Sequence, residues 1–277
     1  MRPWKSDKFD VVSGNGRPWP FDQTVKSRRC YTDRNMERQM TPGKSWIDMD
    51  RITPARAATG AGTMLIACAI ASTALLAAHA GSGGSPDFAG MLRTEAAQAF
   101  PCAIVHGGFV LVLALEVAGF AALAVRAGYR RTWVLAALVF TGMGAGFLAA
   151  SMIVDGLITP AIAARYATVA ADQQASAKAL FVLIGAAIRV LMPAGLAFQG
   201  MAALAWGAAL VPFPGAARAG SAAGLALGAI AIGAIALSLT PIGMVGLMLA
   251  LMSMTAWTLV AGVVLASWPD LPSQAAC

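Results

Sequence analysis

Six runs of about twenty or more apolar residues, nearly free of charge, constrain this chain more than any other feature. A helix of about 20 residues at 1.5 Å each crosses the ~30 Å hydrocarbon core of a bilayer. A helix also satisfies every backbone N–H and C=O within its own segment, as lipid demands. The runs predict spans at about 59–78, 103–125, 133–154, 180–206, 222–239 and 242–266. The expected fold class is therefore all-α, a multi-pass transmembrane helical bundle of six helices with the lipid bilayer as its partner. The fourth run stays apolar to Val211, longer than one crossing needs, so it tilts or continues along the interface beyond Trp206. Breakers separate the runs: Gly-Ser-Gly-Gly-Ser-Pro at 81–86, Pro212, Pro214 and Gly215, Thr240-Pro241, and Trp268-Pro269-Asp270. Loops are expected over 81–100, which carries Asp87, Arg93 and Glu95, and over 156–178.

Charge placement orients the bundle. Only 12% of residues are charged, against about 25% in soluble domains. Residues 1–56 hold twelve of the twenty Lys and Arg and seven of the thirteen Asp and Glu, a net +5 out of +7. No basic face or nucleic-acid motif accompanies that charge, so a cytoplasmic tail beside anionic headgroups explains it and no nucleic acid is expected as a partner. Arg126, Arg130 and Arg131 then mark an inner turn, with Arg218 on the same side. Trp133, Trp206 and Trp268 fall at the same predicted boundary, where amphipathic rings sit. Both termini are thus expected in the cytoplasm, and the membrane is expected to be a bacterial-type inner membrane. A short C-terminal tail covers 269–277.

Two alternatives bear on the N-terminal part. Residues 1–56 lack apolar periodicity and read as a disordered tail, yet Met49 begins a compact basic lead into the first apolar run and is a second candidate start. Ala78-His79-Ala80 also has the form of a signal-peptidase site, although the run before it is longer than the usual signal core.

The candidate chemistry lies inside the spans. Glu116 in LVLALEVAGF and Arg189 in GAAIRVLMPAG are intramembrane charges, and such residues are functional candidates by default. At the helical rise they lie ~20 Å and ~15 Å from the outer face, an offset that a long Arg side chain spans. An ion pair is expected, with Asp155 as the competing partner of Arg189 and Gln199 on the same polar line. Pro193 removes the hydrogen bond to the carbonyl of Arg189, so a kink is expected there. The structural reading is a register-fixing pair; the functional one is a substrate, proton or ion pathway.

His79 and His106 are the only histidines, both near predicted outer helix ends. They are interfacial residues in the simplest reading and haem or metal ligands in the other, with no further ligand legible at the required spacing. No cofactor is therefore expected beyond that haem or metal alternative. Met244, Met248 and Met252 recur at helical spacing with Met254 nearby, as packing surface or as soft ligands for Cu(I). Gly220, Gly224 and Gly228, and Gly142 with Gly146, form small-residue ridges for helix packing or for a homo-oligomer or membrane-complex contact. Cys30, Cys68, Cys102 and Cys277 form no CxxC pair. Nucleotide-binding, hydrolase and zinc-protease motifs are absent, so no catalytic residue is assigned. The function expected is that of a non-enzymatic membrane protein, the alternatives being a small-solute or ion transporter and a haem- or metal-binding redox subunit.

Overall fold

The computed structural model describes residues 54–79, 87–170, 174–238 and 243–268, all within one unit, Met49–Cys277. The basic tail, the Met49 start, Ala80, Thr240-Pro241 and the C-terminal tail lie outside the described residues. The described residues are helical throughout their elements: α1 Pro54–Ala78, α2 Phe88–Ala97, α3 Ala99–Ala127, α4 Thr132–Ile153, a π-helical turn Val154–Ile158, α5 Thr159–Tyr166, α6 Gln174–Leu210, α7 Ala216–Ser238 and α8 Gly243–Ser267. Among the described residues, six helical runs are long and apolar enough to cross a membrane: Ala58–Ala78, Ala99–Ala127, Thr132–Tyr166, Gln174–Leu210, Ala216–Ser238 and Met244–Ser267. Outward-facing residues such as Ile70, Leu111, Val139, Val182 and Leu183 are large, apolar and exposed, a surface suited to lipid rather than water.

Each span packs on its neighbour in the chain, and α8 closes the series by packing on α1, so the six spans form a ring. Glycine sets how tightly the ring closes. A Cβ on Gly62 in α1 would lie 2.5 Å from the backbone N of Ala266 in α8. The start of the first span and the end of the last therefore meet at one end of the bundle. The α3–α4 and α6–α7 turns lie at that same end. Gly128 (φ 91°) closes α3 and Gly215 (φ 63°) precedes α7, both in conformations that side-chain-bearing residues avoid. The Arg131 guanidinium lies 4.8 Å over the Phe213 ring, which packs edge-on against Trp268. An Arg126 N–H also donates to the Trp268 carbonyl at 3.5 Å.

Several sequence expectations need correction. The fourth span is 37 residues long, beginning earlier than expected at Gln174 and running past Trp206 to Leu210. The expected loop over 156–178 is largely helix, comprising part of the π turn, α5 and the first turn of α6. The expected loop over 81–100 contains α2, begun by Asp87, whose carboxylate accepts from the Gly90 N–H. Phe88, Met91 and Leu92 give α2 the i, i+3, i+4 apolar face that makes an amphipathic helix legible. It packs against α5, with Leu92 and Ala163 fully buried between them beside Ala177 of α6. Trp206 is not an interfacial ring: it is completely buried, and its indole N–H donates to the Thr141 hydroxyl at 3.3 Å.

Candidate functional site

The site begins with His106, 3% exposed, on the second turn of α3. Its Nδ1–H donates to the Cys102 carbonyl one turn back, at 2.9 Å. That bond holds the ring and directs Nε2 toward Asp155, whose Oδ2 lies 3.2 Å away. Asp155 stands in the π turn after α4. Such turns insert a residue into the helical register and recur at functional sites. The next residue explains how closely the π turn and α3 approach. A Cβ on Gly156 would fall 2.1 Å from the His106 ring, so only glycine admits the imidazole here.

His79 supplies the third arm. It follows the last residue of α1, its backbone N–H still bonded to the carbonyls of Leu75 and Leu76. Its ring meets that of His106 edge-on, with centroids 5.1 Å apart. One donor atom each from His79, His106 and Asp155 lie within 4.8 Å of one another. A neutral imidazole whose Nδ1 proton is engaged by a carbonyl presents Nε2 as a lone pair, the state that a metal ligand needs. A lone pair and a carboxylate at 3.2 Å repel unless a positive charge lies between them, either a second imidazole proton or a metal ion. Haem does not fit. Ligation by both histidines would place one on each face of the flat macrocycle, and rings in edge contact at 5.1 Å leave no slot between them.

The triad stands at the mouth of a cavity of about 320 Å³ inside the ring. Five of the six spans line it; α7 does not. Glu116 lies ten residues along α3 from His106, about 15 Å deeper at the helical rise. It is 9% exposed and lines the cavity with Thr258 of α8. Gln199 lines the same wall and donates to the Thr141 carbonyl at 3.4 Å. Beyond this floor Phe120 stacks between Trp206 and Trp257, at 5.8 and 6.4 Å, and fills the ring.

Glu95 on α2 adds charge near the mouth. Burial, and then the nearby Asp155 carboxylate, hold its carboxyl above the usual carboxylate range. Sequence reasoning missed Glu95, Cys102, Gly156 and Thr258. Only Glu95 had a local signal, its place on an amphipathic, N-capped helix.

The other candidate residues divide. Glu116, Asp155 and Gln199 share the cavity with both histidines. Arg189 does not join them, and among the described residues no ion pair links it to Glu116 or Asp155. It is exposed and, with Pro193 and Ser238, lines an outer cleft that adjoins the cavity at Ile188, Met192, Met244 and Leu247. The partner of Asp155 is His106. Gly220, Gly224 and Gly228 pack inside the chain: added Cβ atoms would strike Val264, Trp257 and the Gly200 carbonyl at 2.5–2.9 Å. Gly142 and Gly146 face open space, and Gly144 makes the close contact instead, against Gln199. Of the methionines on α8, Met244, Met248 and Met254 line the cavity and Met252 does not.

No protein-family model, curated protein or solved structure matches this chain.

Proposed function

We propose that this chain is a non-enzymatic protein of a bacterial-type cytoplasmic membrane that captures a transition-metal cation at His79, His106 and Asp155 and admits it to the cavity below. One observation carries the reading: three helical segments far apart in sequence bring one donor atom each to within 4.8 Å. Two imidazoles and a carboxylate suit a first-row divalent ion, and three protein ligands leave a position open for exchange. The Cys102 carbonyl behind His106 is the outer-shell partner that such sites use to fix a ligand ring. Arg126, Arg130 and Arg131 lie at the bundle end away from the mouth, so positive-inside placement turns the mouth outward and both termini toward the cytoplasm.

Titration of the full chain in lipid nanodiscs with Co(II), read by its d–d absorption, tests the site. One Co(II) per chain is expected, with His106→Ala and Asp155→Asn each lowering affinity by roughly tenfold or more. Equal binding by the wild type and both variants sinks the proposal.

A further inference from the structure

The methionines of the bundle are distributed unevenly. Ten lie among the described residues, and Met152, Met192, Met244, Met248 and Met254 line the one cavity below the triad. They come from three helices, α4, α6 and α8, so the clustering is not the periodicity of a single stripe. Met152 stands three residues before Asp155, one turn below the mouth. On the α8 wall, Met244 to Thr258 covers about 21 Å at the helical rise, most of the way from mouth to floor. Thioethers are soft, neutral donors that favour Cu(I) over harder cations. Their neutrality also limits the charge they can hold. Among the described residues, the cavity wall carries one carboxylate beyond the mouth, Glu116. A monovalent ion is balanced by that single charge, whereas a divalent ion is left with an uncompensated charge in a low-dielectric space, a costly state.

We propose that the cavity is a thioether-lined path for a soft monovalent cation, Cu(I), which these methionines take in turn from the mouth toward the Glu116 carboxylate. This rests on the mouth triad as the point of capture: its two imidazoles take Cu(I) as well as divalent ions, so the ion enters and passes inward as Cu(I) with no change of oxidation state. Ag(I) is the probe, because it shares the charge and softness of Cu(I) and needs no reductant.

The test uses the full chain in nanodiscs. Ag(I) binding is measured for the wild type and for a variant carrying Met152→Leu, Met192→Leu, Met248→Leu and Met254→Leu, substitutions that conserve volume. The variant is expected to lose roughly tenfold or more in Ag(I) affinity while its Co(II) spectrum stays unchanged. X-ray absorption of Cu(I) added to the wild type, which needs no variant, is expected to show sulfur neighbours. Unchanged Ag(I) affinity in the variant, or only nitrogen and oxygen neighbours around Cu(I), overturns the thioether site and leaves the mouth standing. Absent Co(II) binding with sulfur-bound Cu(I) removes the mouth and leaves the thioether site.

Discussion

Helix α6 makes two different contacts along its length. Against α7 it closes until a Cβ on Gly228 would lie 2.8 Å from the Gly200 carbonyl, and one on Gly224 would lie 3.0 Å from that of Ala203. Against α8, around Ile188, Met192 and Leu247, it stands apart and leaves space that joins the cavity. Without a hydrophobic drive between helices in lipid, closeness depends on van der Waals packing and residue size. Glycine therefore draws α7 against α6, while α8, the neighbour of α7 in the ring, meets α6 only across the cavity. The closed half is structural and the open half is the candidate site.

The largest expected effect lies in the closed half. Trp206→Ala removes the fully buried ring between Phe120 and Thr141 and is expected to cost about 3–5 kcal/mol. Reversible unfolding in mixed micelles measures it. A cost below that of an exposed substitution would show that the aromatic stack is not the core of this half. Gly228→Leu comes next, at about 1–3 kcal/mol, because the backbone atoms of α6 cannot yield to a side chain. The same experiment at Gly142, which faces open space, is expected to change stability by less than about 0.5 kcal/mol. Equal costs at the two glycines would erase the contrast.

In the open half the effects fall on binding more than on stability. Gly156→Ala pushes a methyl group into the His106 ring and is expected to weaken Co(II) binding by roughly 10–100-fold. A double-mutant cycle on Glu116→Gln and Arg189→Gln is expected to give a coupling under about 0.5 kcal/mol, since Arg189 is exposed and, among the described residues, makes no ion pair with Glu116. Strong coupling would restore the ion pair expected from the sequence.

The smallest effect is a pH dependence. Glu95 has a raised folded-state pKa, so its proton favours the folded protein. That contribution is full below the ordinary carboxylate range and is lost as pH rises from there through the raised value. Melting curves with chelator present should show Glu95→Gln flattening this part of the stability profile. A profile unchanged by the substitution would show that Glu95 does not feel Asp155 or its own burial.

Much of the membrane architecture was legible because a bilayer imposes a length and a composition on each span. Glu116 stood out for the same reason, as a charge where lipid disfavours it, Asp155 as an acid near a span end and His79 and His106 as the only histidines. Their partners were not legible. Depth counting placed Glu116 and Arg189 at compatible heights, but height says nothing about which way a side chain faces around its helix. Arg189 faces outward, and Asp155 was re-aimed by a π turn that no local pattern announced. The helix α2 was passed over because a Gly- and Ser-rich lead obscured the Asp87 cap and the short apolar face behind it.

The sequence by itself determined that this chain is an all-helical membrane protein with six spans and few intramembrane polar groups, since hydropathy and span length are properties of each segment alone. Tertiary structure decided that His79, His106 and Asp155 meet at one mouth, and that Glu116 and the methionines lie beneath it. Rotation about each helix axis, the glycine contacts that set helix separation and the inserted turn at Asp155 exist only once the helices pack against one another.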